Sequence, residues 1–145
     1  MKKIFGIICL AVVLFCTNIQ VFANTSNPTL TVDCVQAESG TSVTVPISIA
    51  NNTGICGAEI QISYDKELVL TGITGGTAFS SLTLTKPGDF SVNPVKLLWD
   101  GMDADYTNGT IAVLTFNVPK ESGTYHVSAF IEDAAVVDGN LNPVE

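Results

Sequence analysis

Apolar and polar residues alternate along most of this chain with a period of two. Val43, Val45, Ile47 and Ile49 alternate with Thr44, Pro46 and Ser48, and Ala58, Ile60, Ile62 and Tyr64 with Glu59, Gln61 and Ser63. Ala112, Leu114, Phe116 and Val118 alternate with Val113, Thr115 and Asn117, and Tyr125, Val127, Ala129 and Ile131 with His126, Ser128 and Phe130. Leu30 and Val32 flank Thr31 in a shorter version of the pattern. Such alternation buries one face of a strand and wets the other, so each run predicts a strand. Leu82–Thr85 and Val95–Trp99 are weaker strand candidates. Turn-forming stretches separate the runs: 38–40, 51–54, 72–76, 86–89, 107–109, 121–123 and 138–140, each rich in Gly, Asn, Asp, Ser or Pro. No window carries apolar residues at helical spacing over three turns. Short strands spaced by turns predict an all-β sandwich or barrel. Pro46 has no N–H to give to a ladder, so its strand is expected at a sheet edge or with a bulge there.

The first 23 residues break the pattern. A basic start, Met1–Lys3, precedes an almost uninterrupted apolar run from Ile4 to Phe15, and Val21-Phe22-Ala23 fits a signal-peptidase site before Asn24. The apolar run is shorter than the roughly 20 residues of a spanning helix. Residues 1–23 are therefore expected to be a signal peptide and residues 24–145 a single secreted, extracellular domain.

Charge narrows the partners. The 145 residues hold 6 Lys and no Arg against 14 acids, with His126 the single histidine, for a formal net charge of −8. That balance argues against nucleic-acid binding, which needs clustered cations. It also leaves little equipment for acid–base or phosphoryl-transfer chemistry near neutral pH. Cys9 and Cys16 lie in the leader. Cys34 and Cys56 remain, and at this point a disulfide between them stands beside the alternative of two buried thiols. Two cysteines and one histidine are too few for a structural zinc site.

The densest polar cluster is Asp100-Gly101-Met102-Asp103-Ala104-Asp105, continuing to Asn108-Gly109. Read as an EF-hand loop from Asp103, it places Asn108 where Gly is required and Leu114 where Glu is required, so the motif fails. A looser calcium site is the alternative; the preferred reading is a solvated acidic turn, and no metal is expected on this chain. Glu59, Asp65, Glu67 and Asp100 offer carboxylates for glycoside hydrolysis, but nothing in the pattern selects a pair.

The outward strand positions carry more information. Glu59, Gln61 and Ser63 point away from the core. With Leu98 taken as inward, Leu97 and Trp99 point out, a Leu and the sole Trp beside acidic and amide groups, as a protein-binding patch requires. The opposite phase, with Trp99 in the core, and a sugar-stacking platform on Trp99 are the alternatives.

Several segments together resemble a known family: Leu30 to Asp33, Ala37 to Ile49, Gly54-Ile-Cys-Gly-Ala-Glu-Ile-Gln-Ile-Ser-Tyr-Asp65 followed by Glu67-Leu-Val-Leu70, and Gly109 to Pro119 after the acidic loop. Their order and spacing over Thr29 to Glu145 resemble a cohesin domain. Leu98-Trp99-Asp100-Gly101 and Val137-Asp138-Gly139-Asn140 are similar to ruminococcal members. The resemblance implies a jelly-roll β-sandwich of two antiparallel sheets. Its implied task is to capture a calcium-loaded dockerin, without catalysis, in cellulosome-type assembly for plant polysaccharide degradation. Calcium is expected on the dockerin and no cofactor on this chain. The docking face implied by alignment comprises Gly57, Glu59 and Gln61 on one strand, Leu97, Trp99 and Asp100 on a second, and His126, Ser128 and Phe130 on a neighbour. A carbohydrate-binding module of similar sandwich fold is the alternative. Cohesins continue past a segment like Asn142-Pro143-Val144 into a closing strand. The chain ends at Glu145, so it is expected to be C-terminally truncated, with Thr29–Val35 lacking a neighbour.

Overall fold

A computed structural model describes residues 11–14, 28–131 and 137–142. Among them there is no helix. The strands are β1 Ala11–Leu14, β2 Thr29–Val32, β3 Gln36–Glu38, β4 Ser42–Ala50, β5 Ile55–Tyr64, β6 Val69–Gly75, β7 Thr83–Thr85, β8 Val95–Asp105, β9 Gly109–Asn117, β10 Thr124–Tyr125, β11 Val127–Ile131 and β12 Val137–Asp138. Two antiparallel sheets stack as a jelly-roll sandwich. One has the order β2-β4-β9-β6, the other β11-β5-β8-β7, with β12 added on β5.

The alternating residues meet between the sheets. Leu30, Val45, Ile47, Ile49, Leu114 and Phe116 from the first pack against Ala58, Ile60, Ile62, Leu97, Trp99 and Val127 from the second, all nearly inaccessible to water. The predicted runs at 43–49, 58–64 and 112–118 lie in β4, β5 and β9. The run from Tyr125 divides at His126: Tyr125 falls in β10, and Val127–Ile131 becomes β11 on β5 with the alternation kept. β8 continues through the acidic loop to Asp105.

Two expectations are corrected. The stretch from Gly72 to Gly76, read as a turn, lies largely within β6. The glycines are used for irregularity and closeness instead. The ladder to β9 shifts register between Leu70 and Gly72, where glycine tolerates the distortion. Gly76 donates its N–H to the Ile111 carbonyl at 2.9 Å. A Cβ on Gly76 would lie 2.0 Å from the Thr110 carbonyl oxygen, so the strand leaves pressed against β9. The second correction concerns Pro46, which sits in an interior strand, between β2 and β9. The irregularity falls one step away, between Ile47 and Ser48. Asp33 donates to the Pro46 carbonyl at 3.0 Å, and Pro46 has no N–H with which to return the bond. The ladder ends there: β2 stops at Val32, short of the expected Val35, and the chain crosses to form β3. β2 has β4 as its sole ladder partner among the described strands.

Within the segment read as a leader, Ala11–Leu14 forms β1. It runs antiparallel to β3, with Ala11 opposite Glu38, and parallel to β10, with Val13 opposite Thr124.

The far end of β8 is clamped. Asp105, 5% exposed, accepts hydrogen bonds from the Ser81 hydroxyl (2.6 Å) and N–H, from the Thr107 N–H (2.8 Å) and from the Thr107 hydroxyl. Asn52 donates to the Asp105 and Thr107 carbonyls at 2.8 and 3.0 Å and accepts from the Gly54 N–H. Burial alone would raise the Asp105 pKa, but the donors from Ser81 and Thr107 outweigh it and hold the carboxyl below its ordinary value. The expected solvated turn is therefore a structural tie at Asp105, while Asp100 and Asp103 remain exposed.

Two outcomes follow from these contacts. A chain starting at Asn24 lacks β1, so hydrogen-exchange mass spectrometry is expected to show faster exchange over 36–38 and 124–125 than in the full chain. Asp105→Asn is expected to cost about 1–3 kcal/mol near neutrality. A depressed carboxyl stabilises the fold above its unfolded pKa of about 3.9, and that stabilisation is lost as pH falls through the folded value. Urea titrations at several pH values are thus expected to show the gap between wild type and variant narrowing below about pH 4.

Candidate functional site

β5 and β8 pair in a register that sets Gly57 opposite Asp100, Glu59 opposite Leu98 and Gln61 opposite Lys96. On one flank, β11 places Phe130 opposite Gln61 and Ser128 opposite Ser63. On the other, β7 places Thr83 opposite Asp100 and Thr85 opposite Leu98. These side chains share the sheet face that points away from the core. Four strands at 4.7–4.9 Å spacing give an open surface about 14 Å across.

Its centre is neutral. The Lys96 ammonium donates to the Glu59 carboxylate across a diagonal of the β5–β8 ladder, in an ion pair that is half in solvent. Leu98 stands next to this pair, 42% exposed, and Phe130 lies half-buried on the far side of Gln61. The surface therefore offers aliphatic and aromatic carbon around a central polar pair, with Asp100 exposed towards one end.

The phase expected for β8 is reversed. Leu97 and Trp99 are in the core at 0% and 1% exposure, and Leu98 faces out. Trp99 packs edge-on against Phe79, ring centroids 5.8 Å apart. Neither residue can meet a partner, and Trp99 supplies no sugar-stacking platform. The physical reason is the period-two constraint: a shift of one residue moves a strand's whole set of side chains to the other face. Val95 inward with Lys96 and Asp100 outward fixes the phase, and that was the signal available in the sequence. Leu98 faces out as in the alternative phase, and Lys96 and Thr85 are face residues that were not among those expected.

The remaining expected residues divide by place. Glu59, Gln61, Asp100, Ser128 and Phe130 come together on the one surface. Gly57 is there too, but β12 pairs beside it, and a Cβ on Gly57 would touch Val137. His126 lies just ahead of β11, at the rim. Its backbone N–H donates to the Asp65 carboxylate at 2.8 Å, and its ring Nδ1 lies 3.1 Å from the same oxygen. The acids weighed for hydrolysis are spread over the molecule: Glu59 is engaged by Lys96, Asp65 by His126, and Glu67 lies 3.9 Å from Lys66. Among the described residues no three His, Cys, Asp or Glu side chains converge to hold a metal ion. The disulfide alternative is overturned. Cys34 is an exposed thiol after β2, whereas Cys56 is a buried thiol in β5, on the other sheet.

Comparison with known proteins gives a consistent result. The family model described as "Cohesin domain" matches residues 28–145. No match is found among curated proteins. Among solved structures, the chain is similar to a non-cellulosomal cohesin from Archaeoglobus fulgidus, with TM-score 0.63 and 18% identity over 74% of this chain and 75% of that one. It is similar to the sixth cohesin of scaffoldin B from Acetivibrio cellulolyticus, solved with a mutant Cel5 dockerin, with TM-score 0.60 and 22% identity over 74% and 84% of the two chains. A type I cohesin–dockerin complex from Clostridium thermocellum matches with TM-score 0.56 and 17% identity over 75% and 84%. At these identities the likeness is one of fold.

The phase of β8 has a direct test by thermal melting. Trp99→Ala is expected to cost about 3–5 kcal/mol as a large core truncation. Leu98→Ala is expected to change stability by no more than about 0.5 kcal/mol, as a surface change.

Proposed function

The chain belongs to the cohesin family, and from that premise we propose that it is a non-catalytic receptor that captures a dockerin on the outer face of the β11-β5-β8-β7 sheet. The observation that carries this reading is the flat, open surface itself. It has exposed Leu98 and half-buried Phe130 around the Glu59–Lys96 pair, in a domain whose family model spans 28–145. Apolar anchors ringed by polar groups suit a protein partner. A helical module lying across four strands would cover both anchors at once. The solved relatives include cohesins held by dockerins, which favours the same kind of partner here.

The finer reading adds three elements. The dockerin carries the calcium, in its own EF-hand-type loops, so that binding depends on the metal while this chain holds none. Residues 1–23 act as an export leader, placing the domain outside the cell. There it contributes to cellulosome-type assembly of enzymes on plant polysaccharide. The acidic balance of the chain also disfavours anionic polymers as direct ligands.

The test is a titration of the chain with dockerin modules encoded in the same genome, by calorimetry, with calcium and with chelator. Saturable binding with calcium and its loss with chelator are expected, with about 1,600 Å² buried in total. Failure of every such dockerin to bind would overturn the reading, as would retention on cellulose or xylan gels without any dockerin binding.

A further inference from the structure

One feature of the docking surface is not shared along its length. Beyond β7 the chain turns through residues 86–94 before entering β8, and this loop stands beside the sheet. Between them lies a cleft of about 480 Å³, lined by Thr85, Pro87, Val92, Pro94 and Leu98 among others, and mostly by carbon. Val92 is 65% exposed and Leu98 42%. Two of the large apolar side chains that the described residues leave in water thus border one opening.

The cleft is held open by fixed contacts. The Asn93 side chain takes the place of a strand partner for Tyr64. Its amide donates to the Tyr64 carbonyl at 2.6 Å, and its oxygen accepts from the Tyr64 N–H at 3.4 Å. The Tyr64 phenol, pushed above its ordinary pKa by burial, donates to the Phe90 carbonyl at 3.1 Å. Asp89 closes the turn by accepting from the Ser91 N–H and hydroxyl at 2.9 and 2.7 Å. A wall tied down in this way has little ordering left to undergo when something enters.

Its chemistry selects the guest. Two lysines and Asp89 also line the cleft, but both ammonium groups are engaged elsewhere and the Asp89 carboxylate accepts from Ser91. Lys86 donates to the Ile73 carbonyl at 2.5 Å, on the opposite sheet, and Lys96 to Glu59. An anionic guest would have to compete with these bonds, whereas an apolar one replaces water on carbon at no such cost. Leu98 belongs to both surfaces: it lines the cleft and stands opposite Glu59 and Thr85 on the docking face. A partner covering the face therefore reaches the cleft without a gap.

We infer that this cleft is the specificity subsite of the docking face, taking one aliphatic or aromatic side chain from the dockerin that covers that face. The inference rests on the dockerin-binding reading and narrows it. A dockerin with an apolar residue at that position is accepted, and one with an acidic residue there is rejected, because its charge would be stripped of water against carbon beside the Asp89 carboxylate.

The experiment compares the full chain with Val92→Asp, Leu98→Ser and, as a control on the opposite sheet, Val69→Asp, against a dockerin from the same genome that binds the wild type. Melting curves report whether each variant is folded. Val92→Asp and Leu98→Ser are each expected to weaken binding about tenfold or more, with Val69→Asp unchanged. Replacing the apolar side chain that the dockerin inserts by Ala is expected to weaken binding to the wild type far more than to Val92→Asp. A folded Val92→Asp that binds like wild type overturns the subsite and leaves the docking reading standing. Absence of wild-type binding to any dockerin overturns both. A concentration-dependent dimer, seen by sedimentation and abolished by Val92→Asp while dockerin affinity is unchanged, assigns the cleft to a second copy and overturns the inference.

Discussion

The antiparallel register of β5 against β8 is the constraint on which the rest of this molecule depends. It is the central pairing of the outer-facing sheet, and it fixes two things together. Inward, it sets Ala58, Ile60 and Ile62 beside Val95, Leu97 and Trp99 in the core. Outward, it sets Glu59 against Leu98 and Gln61 against Lys96. Because side chains alternate strictly, these two results cannot be changed separately. A slip of one residue would bring the indole into water and Lys96 with Asp100 into the core, and the cost of burying those charges forbids it. The core thus determines which side chains the outer face presents.

The ends of the sheet are governed differently, by side chains that substitute for missing backbone partners. Asp105 and Asn52 gather the segments at 79–82 and 105–108 around the far end of β8. Asn93 does the same for the end of β5, where the ladder to β8 has run out. These ties use short polar side chains whose hydrogen bonds satisfy buried or half-buried backbone groups. They also explain why an exposed face bordered by loops can keep a fixed shape: rigid strands supply its floor and saturated hydrogen bonds supply its rim.

A domain held this way needs little specific sequence identity to keep its architecture. Period-two burial and turn chemistry are met by many residue combinations, which accounts for clear likeness of fold to cohesin structures at identities of 16–22%. The outer face is under no such shared demand. Its character is therefore read from Leu98, Phe130, Val92 and the Glu59–Lys96 pair of this chain.

By itself, the sequence determined what is local. The alternations at 43–49, 58–64 and 112–118 specify strands because neighbouring side chains on a pleat point to opposite faces, whatever lies beyond. The outward placing of Glu59 and Gln61 follows for the same reason. The tertiary structure decided what depends on contact between distant segments. Val95-Lys96-Leu97-Leu98-Trp99 holds apolar residues in both phases over its last three positions; the charges of Lys96 and Asp100 point to one phase in the sequence, and the fit of Trp99 against Phe79 realises it. Gly72 to Gly76 has the composition of a turn, yet pairing with β9 draws it into a strand. Whether Cys34 and Cys56 meet is a matter of which sheet each strand joins, and no spacing along the chain encodes a distance across the sandwich.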